Sequence, residues 1–332
     1  MPNPLLEKNT LPPFHAIEPQ QVEPAIRDLI ERSKTRINAL LDERNTYSWD
    51  NLLAPVEALD DALSQAWSPV SHLNSVCNND AMRQAYNTCL PLLSEYQTWK
   101  GQHEKLCAAY REIAASPHFS SMSSGVQRAV EKALRDFRLA GVDLAPEEKV
   151  RYGELKKNLS RLGSRFSENV LDATNAWSRL ATREELAGLP ETALANARQA
   201  AEQSGDDGYL INLEFPSLSP VLNYCDNRAL REEVYTAHCT RASQQGPNAG
   251  EWDNSELITQ TLELRHQLAQ LLGFDHYAEL SLATKMADSP ASVRRFLDEL
   301  AEKSLPQARR EWAELEAYAK QEDGLKLSLI HI

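Results

Sequence analysis

Apolar residues recur at helical spacing along most of this 332-residue chain, and this repeat limits its fold more than any other feature. Glycine, which weakens helices, occurs only 12 times. Two apolar stripes follow the α-helical period near the N-terminus, and their members are Val22, Ile26, Leu29, Ile30, Ile37, Leu40, Leu41, Trp49, Leu52, Leu53, Val56, Leu59 and Leu63. The pattern predicts an all-α chain whose amphipathic helices pack their apolar faces together.

Prolines and glycines divide the helical pattern into segments. Pro69 is expected to bend or end the second helix, and Pro91 is expected to interrupt a helix over residues 82–113. Residues 124–139 are predicted to form the next helix, which Gly141 closes.

The C-terminal half continues the helical pattern. Residues 146–180 are predicted to form one long helix, and residues 257–272 a shorter one that ends at Gly273. A last helix starts at Pro290, and Pro306 should kink it or divide it in two.

One segment departs from the helical period. Residues 204–208 carry a turn signal, and residues 209–215 then read as a short strand, the one clear strand of the sequence. A strand needs a partner, and the sequence leaves open whether this chain or residues beyond it supply that partner.

The composition is typical of an acidic, soluble protein whose cysteines are in the reduced form. The net charge of −13 disfavours non-specific binding to nucleic acids or anionic membranes. The N-terminal ten residues lack the features of a signal peptide, and no apolar run approaches the roughly 20 residues that a membrane span requires. The five cysteines form no C-x-x-C pair, as is typical of free thiols in the cytoplasm, and they are Cys77, Cys89, Cys107, Cys225 and Cys239.

The pair His103–Glu104 begins an H-E motif, the start of the zinc-binding pattern H-E-x-x-H. The second histidine of that pattern would stand at position 107, which is a cysteine. A thiolate can bind zinc, but no further ligand set is apparent, so a helix-surface role for His103 is favoured.

The other histidines form no recognisable catalytic pattern. His266 and His276 lie ten residues apart across Gly273, which does not place them on one helix face. His238 is adjacent to Cys239, so the two side chains point in different directions and do not form a nucleophile–base pair. No phosphate-binding glycine motif is present. The tryptophans lie on helical stripes of an acidic chain, where core packing is favoured over stacking on nucleic-acid bases.

The loop from Gln244 to Gly250 leaves two interpretations open. Loops rich in glycine and proline often border a binding cleft, where the nearby Arg241 could bind the carboxylate of a peptide. Exposed loop arginines are also common and are usually only solvated.

Six segments in order resemble the thimet oligopeptidase and neurolysin family of zinc metallopeptidases. They are LPPFHAIEP from Leu11, SQAWSPVSHLNSV from Ser64, LRDFRLAGVDL from Leu134, SRFSENVLDATNAW from Ser164, TRASQQGPNAGEWDN from Thr240 and RHQLAQLLGFDHYAELSLATKMA from Arg265. None of these segments is itself catalytic.

The resemblance implies a two-domain helical shell around a channel that admits short, unstructured peptides. It implies that residues 1–203 form an N-terminal domain and one wall of the channel, and that residues 204–327 begin the catalytic domain. In this family two histidines of H-E-x-x-H and a later glutamate bind zinc, and the motif glutamate activates the attacking water.

The chain departs from the family pattern after Leu327, where residues 328–332 form an atypical tail in place of a catalytic domain. The sequence therefore assigns no catalytic, cofactor-binding or metal-binding residue within this chain, and it leaves the substrate-binding residues unspecified. We expect no peptidase activity and no bound zinc in the chain alone.

Two function classes stay open. The first is the N-terminal part of a cytoplasmic zinc metalloendopeptidase that acts on short peptides, and the second is a non-catalytic helical binding or scaffold protein. Short peptides are the expected partners, with no nucleic acid, no membrane and no obligate protein partner. An H-E-x-x-H motif in the coding DNA beyond Leu327 would support the first class, and an authentic stop codon the second.

Overall fold

The computed structural model describes residues 3–7, 11–43 and 46–322. Its α-helices are α1 (Pro19–Asp42), α2 (Ala54–Val76), α3 (Asp80–Gly101), α4 (Glu104–Ala115), α5 (Ser124–Leu139), α6 (Pro146–Asn175), α7 (Glu191–Ser204), α8 (Phe215–Tyr224), α9 (Arg228–Cys239), α10 (Ser255–Leu271), α11 (Tyr277–Leu282) and α12 (Pro290–Glu322). The two strands are β1 (Ser178–Ala181) and β2 (Tyr209–Asn212). Short 3₁₀ turns cover Pro4–Leu6, Phe14–Ala16 and Phe119–Ser121, and a π-helical turn covers Trp49–Leu53. The predicted all-α class is confirmed.

The chain forms two compact units. The first comprises residues up to Ser164 together with Glu263–Gly273, and the second comprises Arg165–Leu262 together with the residues from Phe274 on. Among the described residues, no helix is both long and apolar enough to cross a membrane.

The first unit is a helical body with two apolar cores. One core joins the N-terminal half of α1 to α2 and α3, and Val22, Ile26 and Val70 are completely buried in it. The other joins the C-terminal half of α1 to the π-helical turn, α4 and α5. The predicted stripe of α1 is therefore the face that both cores share.

Prolines interrupt these helices less than the sequence suggested. Pro69 lies within α2 and Pro91 within α3, so the expected interruption at Pro91 is wrong, and of the two alternatives at Pro69 the end of the helix is wrong. The chain instead breaks at Gln102–His103, between α3 and α4. An internal proline removes one backbone hydrogen bond and costs about 3 kcal/mol, and the apolar burial along α3, at Cys89 and Leu93 for example, offsets that cost.

The second unit contains the two-stranded antiparallel sheet. Ser178 pairs with Asn212 and Ala181 pairs with Tyr209, so β2 finds its partner inside this chain. This identifies the partner that the sequence left open. The helix predicted over residues 146–180 is shorter than expected, because α6 ends at Asn175 and β1 follows it.

The predicted strand over 209–215 is confirmed at its start and is wrong at its end. The strand stops at Asn212, and α8 begins at Phe215. Asn212 causes the change of direction, because its side-chain Oδ1 accepts a hydrogen bond from the Glu214 N–H at 3.1 Å. Ile211 and Leu213 bring the segment into a core that also includes Trp177, α7, α8 and α9.

The C-terminal helices leave much of their apolar surface uncovered. Gly273 adopts a φ of +79° directly after α10, as expected of a glycine that closes a helix. Helix α12 continues through Pro306 and is not divided there. Its apolar positions Phe296, Leu297 and Leu300 are more than half exposed. The change of sequence after Leu327 and the tail of residues 328–332 lie outside the described residues.

Candidate functional site

His103 stands at the N-terminal end of α4, where it serves as the helix cap. Its ring Nδ1 accepts a hydrogen bond from the Leu106 N–H at 3.1 Å, and its Nε2 lies 3.1 Å from Asn38 Oδ1. The ring of Trp99 meets the imidazole edge-on, with centroids 5.1 Å apart. Both ring nitrogens therefore already have partners within the helical body.

Glu104 and Cys107, the other two residues of the H-E-x-x-C segment, lie in different environments. Glu104 forms an ion pair with Lys149, which holds the pKa of its carboxyl below the usual range. Cys107 is buried in an apolar core, and burial raises the pKa of its thiol. A buried, protonated thiol is a poor metal ligand, so the three side chains do not form a zinc site.

No group of three or more His, Cys, Asp or Glu side chains is arranged to hold a metal ion in the part of the chain that the structure describes. His266 is exposed on α10. His276 caps α11, since its Nδ1 accepts a hydrogen bond from the Glu279 N–H at 3.4 Å. The structure does not bring these two histidines together as ligands.

The second unit brings His238, Arg241 and Thr174 together. The guanidinium of Arg241 donates from Nε to the His238 carbonyl at 2.9 Å and from Nη1 to Thr174 Oγ1 at 2.7 Å. Its Nη2 lies 2.9 Å from His238 Nε2. Burial, and then the charge of Arg241, lower the pKa of His238, which keeps the ring neutral and able to accept this hydrogen bond. Cys239, by contrast, is exposed and takes no part in this cluster.

Arg241 therefore fixes the end of α9 against α6. Three of its five N–H groups are used in these contacts, and one remains on each terminal nitrogen. The interpretation that Arg241 binds a peptide carboxylate stays a prediction.

The loop that follows Arg241 has a defined backbone. Gly246 adopts a φ of +84°, and a Cβ at this position would lie 1.8 Å from Thr240 Oγ1. The carbonyl of Ala242, itself at φ +51°, accepts a hydrogen bond from the Asn254 N–H at 3.0 Å, which closes the loop. A glycine is therefore required at position 246 for both its conformation and its small size.

Asn254 anchors the end of this loop inside the second unit. Its side chain is buried, with Oδ1 accepting from Asn169 Nδ2 at 2.8 Å and Nδ2 donating to the Phe166 carbonyl at 3.1 Å. The amide thus uses both ends to hold the loop on α6. The sequence did not reveal these contacts of Asn254, nor the roles of Asn169 and Thr174. A polar side chain on a long helix gives no sequence signal of the distant group to which it binds.

Two protein-family models match this chain. The model described as the neurolysin/thimet oligopeptidase N-terminal domain matches residues 26–149, and the model of peptidase family M3 matches residues 221–331. Oligopeptidase A of Haemophilus influenzae is 52% identical over 326 residues, and oligopeptidase A of Salmonella typhimurium is 50% identical over 327 residues. The chain is therefore similar to the neurolysin/thimet oligopeptidase N-terminal domain in its first half and to peptidase family M3 in its last third.

The similarity to the oligopeptidases A extends over nearly the whole chain. Each of the two bacterial alignments covers 98% of this chain and 48% of the relative. A probable cytosolic oligopeptidase A of Arabidopsis thaliana is 36% identical over 99% of this chain and 47% of its own length. The chain therefore spans about half the length of the curated relatives that it matches.

Proposed function

We propose that this chain is the N-terminal part of a zinc metalloendopeptidase that hydrolyses short, unstructured peptides in the cytoplasm. The observation that carries the proposal is the identity of about 50% to two bacterial oligopeptidases A over 98% of this chain. Because the same alignments cover 48% of each relative, the proposal assigns catalysis to a C-terminal part that this sequence does not contain. The chain alone is then inactive.

The described residues do not fit a catalytic zinc. Such a site needs three protein ligands and an open position for water, whereas His103 is a helix cap and Cys107 is buried in a core. When zinc is bound elsewhere in the whole enzyme, it supplies a polarised carbonyl and an activated water. The proposed part of this chain is to shape the peptide channel, with residues 1–203 as one wall and residues 204–327 as the start of the catalytic domain.

The exposed apolar side chains of α12 support the proposal that a separate C-terminal part packs against this chain. Phe296 is 64% exposed, and Leu297 and Leu300 are 54% and 53% exposed along the same helix. A contiguous apolar face of this kind is typical of a surface that another segment covers. A C-terminal part of the same enzyme is the occupant that the proposal assigns to it. Localisation in the cytoplasm rests on the five free cysteines of the described chain and on the plant relative that is named cytosolic.

The test is reconstitution in two steps. The purified 332-residue chain should contain no stoichiometric zinc and should leave a quenched fluorescent peptide uncleaved. Co-expression with the C-terminal half of Haemophilus influenzae oligopeptidase A should give a complex with one zinc and chelator-sensitive cleavage.

The same experiment separates the two function classes through a matched pair of variants. Phe296→Glu should prevent complex formation, whereas Val150→Glu, an equally exposed apolar site on α6 at 64%, should leave it unchanged. Zinc and cleavage in the chain alone would contradict the proposal. Failure of the two halves to associate, with the chain folded, would favour a non-catalytic binding protein.

A further inference from the structure

A groove lies between α7, β2 and the start of α8, within the second unit. Its cavity measures about 260 Å³. The small side chains Ala193, Ala197 and Ala200 of α7 line it, as do three exposed amides, Asn196, Gln199 and Gln203. Its one charged lining residue is Glu214, at the turn between β2 and α8.

The free edge of β2 lines this groove. In an antiparallel pair, alternate residues direct both backbone groups toward the partner strand or away from it. The Asn212 N–H donates to Ser217 Oγ at 3.0 Å, and the Leu180 carbonyl accepts from the Arg179 guanidinium, so residues 212 and 180 point outward. Leu210 pairs with Leu180 and shares this orientation.

The backbone of Leu210 therefore presents one donor and one acceptor on the groove side of β2. Outside the β1–β2 ladder, neither group has a hydrogen-bond partner among residues 3–7, 11–43 and 46–322. The side chain of Leu210 is half-buried, and Leu210, Ile211 and Asn212 all line the groove. An exposed strand edge of this kind is a template for another extended chain.

We propose that this groove binds an extended peptide segment, which adds a third strand to the sheet at β2. The inference rests on the proposed function, since it gives a peptide-processing enzyme a peptide-binding site in this half of the chain. The peptide would exchange two backbone hydrogen bonds with Leu210 and place an apolar side chain over the alanines of α7. Glu214 favours a cationic residue at its end of the groove, because no lining residue carries a compensating positive charge.

An extended peptide fits these groups better than a helix does. A helical ligand has satisfied its own backbone groups and would leave the N–H and the carbonyl of Leu210 unpaired. The amides of Gln199 and Gln203 offer both donors and acceptors to a peptide backbone that continues past the strand.

The test is binding of the probe acetyl-Lys-Val-Thr-Val-Thr-amide, labelled with a fluorophore and measured by fluorescence anisotropy on the 332-residue chain. Saturable binding is expected. Methylation of the peptide's backbone nitrogens should weaken it at least tenfold, because it removes the donors that a strand edge requires. Replacing the lysine of the probe by glutamate should also weaken binding. In the Glu214→Gln variant the affinities for the lysine and glutamate peptides should differ less.

Two substitutions on the same helix provide the structural control. Ala200→Leu fills the groove and should weaken binding at least tenfold, whereas Ala195→Leu, at an exposed position outside the groove, should leave binding unchanged. Thermal unfolding of both variants confirms that they are folded. The inference would be overturned if the folded chain showed no saturable binding of the probe. It would also be overturned if the probe and its N-methylated form bound equally well and the two alanine variants bound the probe equally well.

This experiment uses neither zinc nor the C-terminal half. Its failure would therefore leave the reconstitution result unaffected. If the probe binds but the reconstituted complex cleaves no peptide, the peptide-binding groove is supported and the proposed peptidase function is contradicted.

Discussion

Helices α1 and α12 have similar sequence patterns but differ in how far their apolar faces are buried. Both are long and amphipathic, and each continues through an internal proline, Pro24 in one and Pro306 in the other. In α1 the apolar stripe is buried, with Ile26 at 0% exposure, whereas in α12 Leu300 is 53% exposed. Hydrophobic periodicity thus specifies that a helix has an apolar face, but it does not specify what covers that face.

The difference matters because burial, and not helix propensity, stabilises most helices in proteins. The first unit supplies two cores that cover α1 from both halves, through α2 and α3 and through α4 and α5. Among the described residues from 274 onward, Ala319 is the one buried apolar residue. The two ends of this chain should therefore respond very differently to the same substitution.

The largest difference is expected between Ile26→Ala and Leu300→Ala. Removing the buried Ile26 side chain leaves a cavity and should lower the free energy of unfolding by about 2–5 kcal/mol. Leu300→Ala removes an exposed side chain and should change it by less than about 0.5 kcal/mol. Urea titration of each variant measures both values. Equal costs at the two sites would show that α12 is covered in solution, for instance by a second copy of the chain.

A smaller effect of the same kind is expected within the loop after α9. Gly246 and Gly250 both have a positive φ, at +84° and +81°, but only Gly246 has a neighbour where a Cβ would stand. Gly250→Ala should cost about 1–2 kcal/mol for the left-handed backbone alone. Gly246→Ala should cost about 1–3 kcal/mol more, because Thr240 has to move.

The comparison between the two glycines is measured by thermal or urea unfolding. Thr240→Ala removes the obstructing hydroxyl, so in that background the two glycine substitutions should differ less. An unchanged difference in the Thr240→Ala background would mean that the backbone, and not the clash, decides the cost at position 246.

The smallest expected effect is a pH dependence that both units share. Burial lowers the pKa of His103 in the first unit, and burial followed by the charge of Arg241 lowers the pKa of His238 in the second. Each ring uses an unprotonated nitrogen as an acceptor, for the Leu106 N–H and for Arg241 respectively. The folded chain therefore favours the neutral form of both.

The sign of the pH dependence follows from linkage. Above the ordinary histidine pKa of about 6.5 this contribution to stability is fully present. As the pH falls below that value, the unfolded chain binds protons before the folded chain does, so the free energy of unfolding decreases. His103→Asn keeps a cap acceptor without a titrating group and should flatten the pH dependence in urea titrations between pH 7 and pH 5. A pH dependence that is as steep in this variant would assign the effect to other groups.

The sequence predicted the elements that local chemistry specifies. Helix α5 was predicted with its observed ends, and Gly141 and Gly273 adopt the positive φ expected of glycines that close helices. The start of β2 was predicted from the turn signal before it and from the departure from the helical period. Each of these signals depends on neighbours within a few residues.

The sequence did not reveal the features that depend on distant contacts. Strand β1 was read as the end of a helix, since only its pairing with β2 identifies it. The second helix was expected to bend or end at Pro69 and the third to be interrupted at Pro91, but packing keeps α2 and α3 continuous through these positions. The anchors of the loop after α9, from Asn254 to Asn169 and from Arg241 to Thr174, join residues 85 and 67 positions apart.

The amino-acid sequence by itself determined that this chain is helical, where most helices lie, and which family it resembles. Those properties follow from the spacing of apolar residues, from glycine and proline, and from the order of short motifs. Only the tertiary structure decided which apolar faces are covered, as in α1, and which remain open, as in α12. It also decided that β2 has one paired edge and one free edge beside a groove. The physical reason is that burial and strand pairing depend on residues far apart in sequence, whose meeting no local pattern encodes.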